Sequence, residues 1–175
     1  GFNAHDTALL TVEMFEHLGR CDDVEVHLFA TTPDGSDVRT RLRRAVHAFH
    51  EVAQQPVTAI AQRVHDAGID VLIDVDGWCA GGVPGVFALR PAPVQASWLA
   101  YPGTSGAPFI DYLIADRFLV PEPLQRFYSE SAACLPRCYQ PSDTARVVGK
   151  PPPRSAFGLP DDATVFASFN NSWKL

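Results

Sequence analysis

Residues 70–106 constrain this chain more than any other stretch. They open with Asp70-Val-Leu-Ile-Asp-Val-Asp-Gly-Trp and continue through Phe87-Ala-Leu-Arg-Pro-Ala-Pro-Val-Gln-Ala-Ser-Trp-Leu-Ala-Tyr-Pro-Gly-Thr-Ser-Gly. Two short apolar runs, 71–75 and 94–99, each stop at a turn rich in glycine, proline and aromatic residues. That pattern predicts buried parallel strands whose carboxyl ends open into loops. Ligands of open α/β sheets sit outside those ends. Function is therefore expected in the turns that follow the two runs. Trp78 in the first, and Tyr101, Pro102, Gly103 and Thr104 in the second, are candidate binding residues.

The rest of the chain supports the same class. Asp6 or Thr7 can cap a helix with Leu10, Met14, Phe15 and Leu18 on one face. Val24, Val26 and Leu28 alternate as in a strand. After the Thr32-Pro-Asp-Gly turn, Ser36 can cap a helix that carries Val38, Leu42, Val46 and Phe49. Pro56 opens a further helix that Gly68 stops. With runs at 71–75, 94–99 and 112–115, helices and strands alternate, which predicts a mostly parallel, Rossmann-like α/β sheet. The first helix has no strand ahead of it in this sequence. Most prolines lie after residue 80, and Pro151-Pro-Pro reads as a linker. The expected organisation is one lobe over 1–150, then a linker and the first strand, 164–169, of a second lobe cut off after it.

Bulk properties exclude some classes. The chain has 175 residues, 46% hydrophobic and 19% charged, with a net charge of -6. A negative balance argues against a nucleic-acid partner. The basic run over 39–44 is expected to be a solvated helix face. No apolar run approaches the roughly 20 residues of a membrane span, and no signal-peptide pattern opens the sequence, so a cytoplasmic location is expected. Cys21, Cys79, Cys134 and Cys138 lack a disulfide rhythm and read as cytosolic thiols. The spacing of Cys134 and Cys138 lacks the partners of a zinc site.

Chemistry-bearing residues are few. His5 precedes a helix N-terminus, where an anion is favoured, although Asp6 beside it opposes one. An ordinary surface or capping histidine is the plainer alternative. Asp74-Val-Asp76 has the form of a metal–diphosphate pair, but loop capping or polar lining is the better reading. The chain holds no dinucleotide fingerprint, no phosphate-binding P-loop and no nucleophile elbow. Tyr101-Pro-Gly-Thr-Ser-Gly is a turn in which glycine allows close backbone approach and the hydroxyls can bind. Lys174 is a cation at another expected strand end, able to neutralise a departing phosphate.

Taken together, these blocks resemble the catalytic region of the O-linked N-acetylglucosamine transferase family, which also includes SPINDLY-type protein O-fucosyltransferases. The resemblance rests on Phe87-Ala-Leu-Arg-Pro-Ala-Pro-Val-Gln, Trp98-Leu-Ala-Tyr-Pro-Gly-Thr-Ser-Gly-Ala, Asp111-Tyr-Leu-Ile-Ala-Asp, Tyr128-Ser-Glu and Phe169-Asn-Asn-Ser-Trp-Lys. It covers nearly the whole chain and looks closest to bacterial members, which also run into Gln140-Pro-Ser-Asp-Thr. The resemblance implies the N-terminal lobe of a GT-B enzyme, a UDP-GlcNAc donor, inverting transfer to Ser or Thr of a protein acceptor, and no metal or other cofactor. His5 matches the family's active-site histidine, with Asp6 where the family has proline. Lys174 matches its essential lysine. Asn171 falls where a glutamine contacts the nucleotide, and Trp173 where a tyrosine is common. Helical TPR repeats and a C-terminal lobe are expected in the full protein. Within the same likeness, an O-fucosyltransferase, an Asn-glucosyltransferase and a non-catalytic partner-binding lobe stay open.

Overall fold

The computed structural model describes residues 2–170. The chain divides into two compact units, Gly1–Ala145 and Arg146–Leu175. The first unit alternates helix and strand. Its elements are α1 (Asp6–Leu18), β1 (His27–Ala30), α2 (Asp37–Ala45), β2 (Ala48–Glu51), α3 (Val57–Asp66), β3 (Val71–Asp74), α4 (Pro84–Ala88), β4 (Val94–Trp98), β5 (Tyr112–Asp116) and β6 (Ser131–Leu135). All strand pairs are parallel. β1 pairs with β2, and a second sheet runs in the order β3-β4-β5-β6. The expected single sheet is therefore two sheets, since among the described residues no strand is bonded between β1 and β3.

Local chemistry explains the elements. α1 begins at His5 in an extended conformation with no side-chain cap, so neither Asp6 nor Thr7 caps it. Its buried face is Thr7, Ala8, Thr11, Val12 and Phe15, shifted from the predicted stripe towards small residues. Thr11 can be buried because its hydroxyl donates to the Thr7 carbonyl at 2.7 Å. Gly19 follows α1 where a Cβ would lie 1.7 Å from the Ala45 carbonyl oxygen, so only glycine lets the ends of α1 and α2 approach this closely. Ser36 caps α2 as expected, accepting from the Arg39 N–H.

α2 stops at Ala45, short of the predicted Phe49. Val46 is already extended, and the Val26 N–H donates to His47 Nδ1 at 3.0 Å, which opens the β1–β2 pairing. Phe49 thus lies on a strand that its helical spacing concealed. The run over 39–44 is only in part the expected solvated face: Thr40, Arg43 and Arg44 are exposed. Arg39 is buried and donates to the Phe2 and Thr32 carbonyls and to Glu51. Arg41 binds Glu16 through Nε at 2.9 Å and Asp143 through Nη1 at 2.8 Å. Beside it, the Thr144 N–H and hydroxyl both donate to Glu13. Together these contacts fasten 143–144 to α1 and α2. The Glu16 and Asp143 bonds raise the Arg41 pKa above its ordinary value.

Two larger apolar cores follow, beside a small cluster of Leu113, Ala115 and Val120. Phe2, Ala8, Val12, Phe15, Leu28, Val38 and Leu42 join α1, β1 and α2, with Val75 packed against them. Val52, Ile60, Val64, Leu72, Val86, Phe87, Ala107 and Ile110 form the other core beneath one face of β3 and β4. The opposite face of β3 is not covered as a doubly buried strand would be: Val71 is 51% and Ile73 41% exposed. Residues 164–169, expected from their apolar run to form a strand, form none among the described residues, and Phe166 and Phe169 are exposed. An apolar run becomes a strand only when a neighbour takes its backbone groups.

Across the small sheet, His50 stacks on Phe29 at 4.4 Å and lies 3.3 Å from His27 Nδ1, whose Nε2 meets Glu25 at 2.9 Å. Burial, then His27 and Arg63, lower the His50 pKa. The folded state thus holds His50 neutral. The stability this contributes is present above the unfolded histidine pKa of about 6.5 and is lost as pH falls through the lower folded value. Urea midpoints measured from pH 7.5 to 5 should fall more steeply for the native chain than for His50→Gln. Parallel curves would remove His50 as the titrating group.

Candidate functional site

The carboxyl ends of β3 and β4 build one tightly bonded corner. Asp74 closes β3 and is buried. Its Oδ1 accepts from the Asp76 N–H at 3.1 Å and the Gly77 N–H at 2.9 Å, which turns the chain sharply. Burial raises the Asp74 pKa, and the two N–H groups work against that rise. Loop capping, the reading preferred from the sequence, is therefore the role Asp74 plays. Among the described residues no group of three or more His, Cys, Asp or Glu side chains could hold a metal.

Gly77 has φ +56, and a Cβ there would lie 2.7 Å from Tyr101 Cβ. Only glycine meets both demands. Next to it, the half-exposed Trp78 donates its indole N–H to the Ser105 carbonyl at 3.1 Å. Cys79 Sγ lies 3.4 Å from the Ala100 carbonyl. The loop after β3 is thus laid along the loop after β4.

The second loop starts under strain. Leu99 has φ +78 although it is a buried leucine. Such a conformation persists only where the surroundings impose it, and it clusters at functional sites. Tyr101 then covers Gly103, where a Cβ would sit 3.2 Å from the ring. Pro102 accepts from the Tyr128 hydroxyl at 3.3 Å. The Thr104 hydroxyl meets Ser129 and Glu130, the latter at 2.8 Å. A small hollow between the loops is lined by Asp74, Trp78, Ser97, Ser105, Phe109 and Ile110.

The structure therefore brings Trp78, Tyr101, Pro102, Gly103 and Thr104 into one constellation. His5 is exposed at the N-cap of α1. Phe2, three residues ahead of it, shares a core with Val75, the first residue after β3. Asn171, Trp173 and Lys174 lie outside the described residues. Sequence reasoning missed Gly77, Leu99 and Glu130 as parts of this corner. Only the Tyr128-Ser-Glu motif signalled Glu130, and it did so without a role.

Parallel strands alternating with helices, with polar, glycine-bearing loops at their carboxyl ends, define an α/β protein. The chain belongs to glycosyl transferase family 41, whose profile matches residues 1–151. It is 34% identical over 181 residues to a protein of Arabidopsis thaliana named probable UDP-N-acetylglucosamine–peptide N-acetylglucosaminyltransferase SEC, covering 99% of this chain and 18% of the relative. A Caenorhabditis elegans UDP-N-acetylglucosamine–peptide N-acetylglucosaminyltransferase is 36% identical over 127 residues, 71% of this chain and 11% of that protein. A solved mutant of the Thermobaculum terrenum O-GlcNAc transferase superposes with a TM-score of 0.75 at 28% identity, covering 79% of this chain and 26% of that one. The fold is thus that of a GT-B glycosyltransferase. The chain spans less than a fifth of the length of these two curated relatives.

Gly77→Ala tests the corner directly. Positive φ and the contact with Tyr101 together should destabilise the fold by about 1–3 kcal/mol. Trp78 fluorescence should also change, because the indole is carried by the same turn. A variant with native stability and native emission would show that the corner tolerates a side chain.

Proposed function

We propose that residues 1–150 are the N-terminal lobe of an inverting GT-B protein glycosyltransferase, and that 151–175 lead into its nucleotide-binding lobe. The reaction transfers N-acetylglucosamine from UDP-GlcNAc to Ser or Thr hydroxyls of proteins. The observation that carries this reading is the bonded corner of Trp78 and 101–106 at the carboxyl ends of β3 and β4, in a family 41 chain. Relatives named as UDP-GlcNAc–peptide transferases support the donor and the peptide acceptor.

The roles follow from the family likeness taken together with the chemistry of the transfer. The acceptor hydroxyl attacks the anomeric carbon from the face opposite UDP. The bond from that carbon to the diphosphate oxygen breaks, and UDP leaves with the electron pair. Lys174 neutralises the charge that develops on the diphosphate, so no metal is required. His5 stands on the acceptor side, where an imidazole can orient the hydroxyl or take its proton. Trp78 and Tyr101–Thr104 form the wall that fixes the reactants, and orientation is itself a large part of such catalysis. Asn171 and Trp173, in the same stretch as Lys174, are assigned to substrate binding by the family likeness. Protein substrates are presented by TPR repeats of the complete protein, in the cytoplasm, where the four exposed free thiols are at home. Neither nucleic acid nor membrane takes part, and no helix of the described residues is long and apolar enough to cross a membrane.

A donor panel of UDP-GlcNAc, UDP-glucose and GDP-fucose, run on the intact enzyme with EDTA present, tests the reading. Turnover is expected with UDP-GlcNAc and should survive the chelator. Preference for GDP-fucose or UDP-glucose would reassign the sugar. Absence of both turnover and UDP binding would leave a partner-binding lobe. Lys174→Ala should lower kcat by roughly 100- to 1,000-fold, and His5→Ala by about 100-fold. Native rates in either variant would withdraw that residue's role.

A further inference from the structure

Glu130 lies immediately before β6, yet its carboxylate turns to the loop after β4. It is 4% exposed. Its Oε2 accepts from the Thr104 hydroxyl at 2.8 Å, and its Oε1 accepts from the Ser105 N–H at 2.7 Å and from the Ser105 hydroxyl. Ser105 also holds the Trp78 indole through its carbonyl. The Ser129 N–H and hydroxyl meet Thr104 on the neighbouring side. One buried side chain thus ties the 101–106 bend to the edge strand β6 and, through Ser105, fixes Trp78 of the other loop. No helix or strand ladder holds 101–106, so these bonds supply the order it would otherwise lack.

We infer that Glu130 is a positioning residue for the transfer site: it keeps the 101–106 bend and Trp78 in the binding-competent arrangement before substrate arrives. The inference rests on the transferase reading for its kinetic consequence, but not for its structural one. Burial alone would raise the Glu130 pKa. The bonds from Ser105 and Thr104 outweigh burial and leave the group ionised at neutral pH. A charged acceptor of several N–H and O–H donors is the strong kind of hydrogen-bonded anchor.

The kinetic signature follows from population. If only a fraction of molecules carries the competent loop, the apparent affinity falls by that fraction, while the saturated enzyme still turns over. Glu130→Ala in the intact enzyme should therefore raise KM for UDP-GlcNAc or acceptor peptide by about tenfold, with kcat nearly unchanged. Glu130→Gln keeps one oxygen for Ser105 and offers an N–H to the Thr104 hydroxyl, and should bring KM back to within about threefold of native. Hydrogen exchange at the Ser105 amide should quicken at least about tenfold in Glu130→Ala and only slightly in Glu130→Gln.

Unchanged Ser105 protection in Glu130→Ala would overturn the inference, whatever the enzyme does. A fall in kcat at constant KM would equally overturn it, because that is the mark of lost folded protein. Damage by Glu130→Gln equal to that of Glu130→Ala would show that charge rather than position matters. Should Glu130→Ala not fold, Ser105→Ala removes the hydroxyl that donates to Glu130 and accepts the Ala107 N–H, leaving the Ser105 N–H on Glu130: KM should rise a few-fold, and native kinetics would defeat the proposal. A native enzyme that transfers no sugar would defeat the transferase reading, while the exchange data would still decide the role of Glu130 in the loop.

Discussion

A parallel sheet leaves backbone N–H groups stranded wherever a strand begins or ends, and carboxylates meet them throughout this molecule. Asp74 takes the N–H groups of Asp76 and Gly77 beyond β3. Asp111 takes the Gln95 N–H at 2.8 Å while Arg90 donates to both of its oxygens. Asp116 takes those of Phe118, Leu119 and Tyr139 beyond β5. Glu130 takes that of Ser105. These donors near the sheet are thereby paired with carboxylates, and each pairing sets the course of a loop. The loops at the strand ends are therefore ordered by the same groups that finish the ladder.

These carboxylates do not titrate alike. Arg90 and the Gln95 N–H lower the Asp111 pKa, and three backbone N–H groups lower that of Asp116. Glu130 is lowered despite its burial. Their contribution to stability is present above the ordinary carboxylate range near pH 4 and is lost as pH falls below it. Asp74 runs the other way: burial disfavours its charge more than its two N–H bonds restore it. Protonating Asp74 therefore relieves the fold slightly in the acid range, while protonating the other three loosens it. At the end of β3, burial thus works against a charge that the two N–H groups of the turn help to hold.

The sequence revealed what depends on short-range pattern. Runs 71–75 and 94–99 emerged as β3 and β4 because apolar runs bounded by turn residues are strong local signals. The Tyr101–Gly106 turn was likewise visible in its own composition. What stayed hidden depends on partners distant in the chain. β2 reads as a helix continuation until His47 is seen to receive the Val26 N–H, 21 residues away. β6 is Ser-Ala-Ala-Cys-Leu, with too little contrast to alternate, and becomes a strand through its ladder with β5. Arg39 looked solvated because its acceptors, the Phe2 carbonyl and Glu51, lie 37 and 12 residues away. Glu130 was inconspicuous for the same reason: its donors stand 25 and 26 residues before it.

The strain at Leu99 shows why the distant partners matter at the site. A buried leucine at positive φ sends the chain off β4 in a direction an ordinary residue resists. The loop that follows cannot relax, because both of its flanks are held. On one flank Gly77 admits Tyr101 where any other residue would collide. On the other, Glu130 draws in Thr104 and Ser105. A loop fixed at both flanks and strained at its root has lost its conformational freedom during folding rather than on binding. Under the proposed transferase reading, binding then need not order it again, and substrate affinity can be directed to orienting the reacting groups. That division of labour requires Leu99, Gly77 and Glu130 to act together. The strain at the first is tolerable only because the other two hold the loop where the strained root points it.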